Sequence, residues 1–226
     1  MTASHKITDK IHVGAFLDYK VNQVAPGRSS LGPGGVQSGY NNVTFGGFAG
    51  YYANPDRTCL QAKISGAYNP GKVTVTRPLL ESTEAGMGTA GLNCSGVYGE
   101  IGWGLGFAKT FIATPFMGIR GIDISRNGYS ESYNAAVQFP ISYNSYYERV
   151  LTGIAGGQIK AAITDRLNFQ AGFWAELDVR RSANSYSGWS SIPGLETFAL
   201  AHGGSQNCQW RRQIVPDGGL KVYQSG

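Results

Sequence analysis

The chain has 226 residues, a formal net charge of +5 and a mean hydropathy of −0.19. No run of about 18 apolar residues occurs, which excludes a transmembrane helix, and no break in composition divides the chain into two domains. Glycine (33 residues) and tyrosine (13) are abundant while only 15% of residues are charged, a mixture that suits many strands joined by turns rather than helices.

The basic residues are dispersed: Arg180-Arg181 and Arg211-Arg212 are the adjacent pairs, with no basic helix or zinc module, so nucleic acid is not expected as a partner. Residues 1–10 read as an N-terminal tail before a single domain over 11–226. The opening Met-Thr-Ala-Ser-His-Lys lacks the basic and apolar regions of a secretory signal, which suits a cytoplasmic protein or a domain cut from a longer one.

From Ile11 to Lys20 the chain alternates strictly. Ile11, Val13, Ala15, Leu17 and Tyr19 oppose His12, Gly14, Phe16, Asp18 and Lys20, the period-two pattern of a strand with one apolar face. A polar loop over 21–41 follows, in which Gly32-Pro33-Gly34-Gly35 is a turn without the Lys-Ser or Lys-Thr of a phosphate loop. Asn42 to Tyr52 and Cys59 to Tyr68 are the next strands, the latter setting Leu60, Ala62 and Ile64 against Gln61, Lys63 and Ser65. Asn69-Pro70-Gly71 reads as a tight turn into a weaker strand, Lys72 to Arg77. Residues 78–95 read as a long loop. Within it Gly86-Met87-Gly88-Thr89-Ala90-Gly91 has the spacing of a dinucleotide fingerprint, but neither a strand before it nor a helix after it supports that chemistry, so it is assigned to the loop.

Val97 to Phe107 is a long strand with Val97, Ile101, Trp103, Leu105 and Phe107 on its apolar face and Tyr98, Glu100, Gly102, Gly104 and Gly106 behind. Weaker strands are predicted over Ile112 to Ser125, Tyr146 to Ala155 and Gln158 to Thr164, separated by a loop over 126–144. After the turn Thr164-Asp165-Arg166, the stretch Leu167 to Arg180 alternates without a fault: Leu167, Phe169, Ala171, Phe173, Ala175, Leu177 and Val179 against Asn168, Gln170, Gly172, Trp174, Glu176, Asp178 and Arg180. A loop over 181–195 and weaker strands at Glu196 to His202 and Leu220 to Tyr223 complete the chain. Ordinary strands run about 5 to 6 residues, whereas a tilted strand crossing a bilayer needs roughly 9 to 11, so the lengths point to a membrane.

The fold expected is all-β: an antiparallel up-and-down barrel of about 10 to 12 strands, of outer-membrane type, closed so that no edge is left open. In it Asp18, Lys63, Glu100, Glu176, Asp178 and Arg180 would line the lumen together with the Gly102, Gly104, Gly106 stripe, whose missing side chains leave room or let the strand coil. Leu167, Phe169, Phe173, Leu177, Trp103, Leu105 and Phe107 would face lipid. Tyr19, Tyr51, Tyr52, Tyr68, Trp103, Tyr146 and Tyr147, near strand ends, are candidates for interfacial girdles, or are there because tyrosine favours strands.

Little in the chain carries catalytic chemistry. His5, His12 and His202 are scattered, Cys59, Cys94 and Cys208 lack a C-x-x-C spacing, and no G-x-S-x-G elbow occurs. No enzyme activity, cofactor or metal is expected, and one disulfide with one free thiol is an open arrangement for the cysteines.

Three motifs follow in order: Tyr98-Gly99-Glu100-Ile101-Gly102, then Thr114-Pro115-Phe116-Met117-Gly118-Ile119-Arg120, then Gly128-Tyr129-Ser130-Glu131. In these the chain resembles the β-domain of bacterial autotransporters, and it does so more loosely over Val43 to Val179, where the block from Asn42 to Tyr51 and the Thr164-Asp165-Arg166 turn are similar to the family's hairpins. The resemblance implies a twelve-stranded barrel in the bacterial outer membrane that lets an N-terminal passenger reach the cell surface. It further implies outer-membrane lipid, the barrel-assembly machinery and a passenger segment outside this chain as partners. The alternative is a soluble or secreted β-rich structural or adhesive protein, such as a virion, fibre or self-assembling surface component, motivated by the missing signal and the richness in Gly, Tyr, Ser and Asn.

Overall fold

The computed structural model describes residues 1–23, 39–77, 84–108, 111–133, 137–164, 167–191, 194, 196–200 and 208–217. Among them are thirteen strands: β1 (Thr2–Lys6), β2 (Ile11–Gln23), β3 (Gly39–Tyr52), β4 (Cys59–Arg77), β5 (Gly86–Ala108), β6 (Phe111–Arg126), β7 (Tyr129–Ser130), β8 (Ile141–Tyr143), β9 (Tyr146–Thr164), β10 (Leu167–Ala183), β11 (Tyr186–Ser190), β12 (Thr197–Leu200) and β13 (Cys208–Asp217). Nine of them form one antiparallel sheet in the order β1-β2-β3-β4-β5-β6-β9-β10-β13, and the other four form a small sheet, β12-β11-β8-β7. The fold is all-β, and the long sheet is an up-and-down meander in which each long strand pairs with the next along the chain. That order is compatible with a barrel wall. No ladder joins β1 to β13 among the described residues.

Several elements differ from the sequence expectation. Thr2–Lys6, read as a tail, is a strand paired with β2 from Thr2 opposite Phe16 to Lys6 opposite His12. Asn69-Pro70-Gly71, read as a turn, lies inside β4, opposite Cys94, Asn93 and Leu92 of β5. The backbone pairing of β4 with β3 stops at Tyr68, so the N–H that Pro70 lacks costs no ladder hydrogen bond to β3. The Gly86 to Gly91 motif is the first part of β5 rather than a loop, and the two segments predicted between Tyr146 and Thr164 are one strand of 19 residues. β7, β8 and β11 lie in stretches that the sequence pattern assigns to loops, and β13 lies where it predicts no strand. The predicted strand at Leu220 to Tyr223 lies outside the described residues.

Connections divide by end. The tight links between β1 and β2, β3 and β4, β5 and β6, and β9 and β10 lie at one end, and the long links between β2 and β3, β4 and β5, β6 and β9, and β10 and β13 lie at the other. At the long-link end the paired ends of β4 and β5 run on from Tyr68 opposite Ser95 to Arg77 opposite Gly86. The small sheet packs there: Val73, Ala90 and Tyr129 are buried together, with Val75, Leu92 and Tyr143 against them. Tyr129 stacks on Tyr143 at a centroid distance of 4.8 Å, and Phe198 meets Tyr143 edge-on at 5.7 Å. Gly88 makes this packing fit, since a Cβ there would come within 2.7 Å of Tyr129 Cε2. Arg126 closes the cluster: its guanidinium lies 5.0 Å from the ring centres of both Tyr129 and Tyr186 and donates to the Asn144 carbonyl at 2.6 Å. Burial, and then the neighbouring Tyr186, push the Tyr129 phenol well above its ordinary pKa.

Candidate functional site

The long sheet has two unlike faces. On one, Leu17, Ile64, Val97, Ile101, Trp103, Leu105, Phe107, Met117, Ile119, Phe173 and Leu177 are exposed, although a soluble domain would bury such residues. The other carries polar and charged side chains joined to one another, and the registers explain which residues meet. Lys63 of β4 stands opposite Glu100 of β5, which stands opposite Gly118 of β6; the Lys63 ammonium donates to Glu100 Oε1 at 2.7 Å and the Tyr98 hydroxyl to Glu100 Oε2 at 2.5 Å.

A second cluster spans three strands. Arg120 of β6 reaches across β9 to Glu176 of β10, its Nη2 donating to Oε2 at 2.6 Å and its Nη1 to Oε1 at 3.3 Å, a two-pronged charge-assisted pair. The Trp174 indole donates to the same carboxylate at 3.0 Å. The Glu176 side chain is only 7% exposed. Trp174 lies over Gly156 of β9, where a Cβ would sit 2.5 Å from the Trp174 Cβ. One row higher, the Thr152 hydroxyl donates to Asp178 at 2.9 Å.

Beyond Asp178 the register shifts. Asp178 stands opposite Thr152 but Arg180 stands opposite Leu151, so Val179 is an extra residue, and the alternation reverses as it does at a β-bulge. Arg181 therefore shares the polar face, pairing with Glu148 at 2.5 Å, and the Tyr146 hydroxyl also donates to Glu148 at 3.0 Å. Arg180 is turned to the apolar face and exposed. At the short-turn end the stripe of glycines is occupied by neighbours rather than empty. Gly102 and Gly104 are buried; a Cβ on Gly102 would meet Thr114 and Pro115, one on Gly104 would meet Gln61 and Thr58, and one on Gly106 would lie 3.2 Å from Thr58. The β3–β4 turn supplies Thr58, and its Arg57, in the left-handed region at φ 65°, offers its carbonyl to Gln61 Nε2 at 2.5 Å. The same turn holds Asp56 below its ordinary carboxylate pKa, through the hydroxyl and backbone N–H of Thr58.

Of the residues expected on the polar face, Lys63 and Glu100 are joined, Glu176 and Asp178 lie a row apart, Asp18 is half-buried on β2 opposite Thr44, and Arg180 faces the other way. Of those expected on the apolar face, Trp103, Leu105, Phe107, Phe173 and Leu177 are exposed and Phe169 is half-exposed; the side chain of Leu167 lies outside the described residues. Tyr19, Tyr51, Tyr68 and Tyr147 are exposed, whereas Tyr52 packs edge-on against His12 and Tyr146 serves Glu148. Arg120, Trp174, Tyr98, Arg181 and Glu148 carry the network and were not singled out as lining residues. The alternation of Thr114, Phe116, Gly118 and Arg120 held a signal for Arg120, blurred because Phe116 shares its face.

Within the polar face, Phe16, Thr44, Ser65, Ala67, Asn69, Cys94, Tyr98 and Arg120 line a cavity of about 600 Å³. Cys59 and Cys94 are free thiols; the side chain of Cys208 lies outside the described residues. Among the described residues no group of three or more His, Cys, Asp and Glu could hold a metal ion, and no helix is long and apolar enough to cross a membrane. No curated protein matches the chain. A family model, the autotransporter beta-domain, matches residues 2–199, covering every strand of the long sheet except β13 and every member of the polar network. The chain belongs to the autotransporter β-domain family.

Proposed function

We propose that the domain closes into a barrel in the bacterial outer membrane, with the apolar face against lipid and the polar face around a lumen that admits an exported passenger segment. The observation that carries this reading is the pairing of an exposed apolar face with an opposite face of matched charges on the same strands. The apolar positions of β5 run from Val97 to Phe107. Ten steps at about 3.3 Å make about 33 Å, which at a tilt near 40° is about 25 Å, the height of the lipid-facing band of such barrels. The short-turn end then faces the periplasm and the long-link end the cell exterior.

The lumen chemistry suits a polypeptide of mixed composition. Lys63 with Glu100, Arg120 with Glu176 and Arg181 with Glu148 neutralise one another, leaving a polar wall that offers hydrogen bonds. Partners on this reading are outer-membrane lipid, the barrel-assembly machinery that inserts the strands, and a passenger joined to the N-terminal side. Refolding the full chain into vesicles tests it. A protease-protected core and a gel mobility that changes on boiling are the expected results; a monomer that stays soluble without detergent overturns the membrane reading and favours a soluble or secreted structural β protein.

A further inference from the structure

We propose that the apolar face carries a site for the phosphorylated headgroup of an outer-leaflet glycolipid, built by the bulge at Val179. This inference rests on the membrane reading above. Alternation along β10 would turn Arg180 inward beside Asp178; the extra residue reverses it and places a cation opposite Leu151 on the outward face. The β-bulge is a device that re-aims a side chain.

Arg180 sits at the edge of the apolar band. In the row it shares, Val97 stands opposite Gly121 and Gly121 opposite Leu151. The next row toward the long-link end brings Ser95, Asp123 and Arg149 together. Val97, Gly121, Leu151, Asp123, Arg149 and Arg180 are among the residues lining one recess of about 440 Å³. A Cβ on Gly121 would lie 3.3 Å from Val97 Cγ2, so the glycine keeps the floor open. Arg149 is bound to Asp123 at 2.6 Å, its guanidinium also lying 5.8 Å from the Tyr147 ring centre, and the Arg149 side chain is 69% exposed. The two arginines against one aspartate leave an excess positive charge above an apolar floor. An acyl chain lies on Val97 and Leu151 while a phosphate bridges Arg180 and Arg149. At the headgroup boundary an arginine keeps its stem on apolar surface and its guanidinium among the headgroups, whose negative charge attracts it. Because the recess opens at the long-link, exterior end, the leaflet that supplies the headgroup is the outer one, whose lipid is a phosphorylated glycolipid.

The full chain is refolded into neutral phosphatidylcholine vesicles with and without bisphosphorylated lipid A. Insertion is read first, by protease protection and the boiling-dependent gel shift, and lipid carried through mild detergent extraction is then counted by native mass spectrometry. The inserted wild type retains lipid A; Arg180→Gln and Arg149→Gln each lower retention by about fivefold, the worth of one surface arginine against an anionic headgroup, and Arg180→Lys keeps most of it. Unchanged retention in inserted Arg180→Gln overturns the proposal. So does displacement of lipid A by millimolar inorganic phosphate, which marks a simple anion site, or equal retention of phosphatidylglycerol, which marks unselective charge attraction. Failure of the wild type to insert in neutral vesicles overturns the membrane reading, and this proposal with it, and is scored separately from lipid retention.

Discussion

Phe173 and Trp174 are neighbours in the chain and live in opposite environments. Phe173, on the outward face of β10, is 55% exposed; Trp174, on the inward face, lies over Gly156 and spends its N–H on Glu176. The same contrast repeats across β4, β5 and β6, where Ile64, Ile101 and Ile119 look out while Lys63, Glu100 and Arg120 look in. The outward face leaves large apolar side chains largely uncovered by protein, an arrangement that suits an apolar solvent. The inward face is held by specific pairs, and its energetics depend on every partner being present.

That contrast can be broken from either side. The largest effect is expected at Glu176→Ala, which strips Arg120 of its bidentate partner and leaves a half-buried guanidinium uncompensated, at about 3 kcal/mol or more in the unfolding free energy. Urea unfolding in vesicles measures it, and the double variant Arg120→Met/Glu176→Met should recover most of the loss; a double variant as unstable as the single would show that the pair itself, rather than the orphaned charge, sets the cost. Next comes Phe173→Lys, at about 2 to 4 kcal/mol if the residue lies near mid-bilayer. Ser65→Lys, which points a longer cation into the roughly 600 Å³ cavity, should cost well under half of that by the same depth argument. Equal costs at the two positions would refute the assignment of faces.

A third variant separates the small sheet from the long one. Tyr129→Ala empties the cluster of Val73, Ala90 and Tyr143, a loss of about 3 kcal/mol of local packing, which should appear as faster hydrogen exchange and proteolysis over 127–145 while strands β2 to β6 keep their protection. Smallest of all is Asp9→Ala in the β1–β2 turn. Lys6 holds the Asp9 carboxyl below its ordinary pKa through a hydrogen bond and its charge, but both groups are solvated, so the unfolding midpoint should not move measurably. Any residual effect should fade as pH drops through the depressed pKa, because the carboxylate favours the folded state only while ionised.

Much of the long sheet could be read from period two. Leu167 to Arg180 and Val97 to Phe107 are long, amphipathic and free of proline, and both became strands, with Phe173 and Leu177 exposed and Glu176 buried in step with the alternation ahead of the bulge. What escaped did so for identifiable reasons. The start of β5 hid behind glycines, since Gly86, Gly88 and Gly91 carry no hydrophobic signal; their value appears only once Glu131, Tyr129 and Asn127 occupy the space beside them. Pro70 reads as a turn because a one-dimensional pattern cannot show that the β3–β4 pairing has already ended at Tyr68. β7, β8 and β11 are two to five residues long, too short for periodicity, and are held by aromatic contacts from distant segments.

The polar site divides along the same line. Lys63, Glu100, Glu176 and Asp178 were visible as charges opposite apolar residues, but the partners of Glu176 and Asp178 were not, because Arg120 reaches Glu176 over an intervening strand and the reach depends on a register that no local pattern encodes. The sequence by itself determined the long amphipathic strands and the alternation of their side chains, since side-chain direction along a strand follows from backbone geometry alone. Only the tertiary structure decided which charges neutralise one another, which strands pair, and that one extra residue at Val179 would turn Arg180 outward and Arg181 inward, because these depend on how strands are set beside each other.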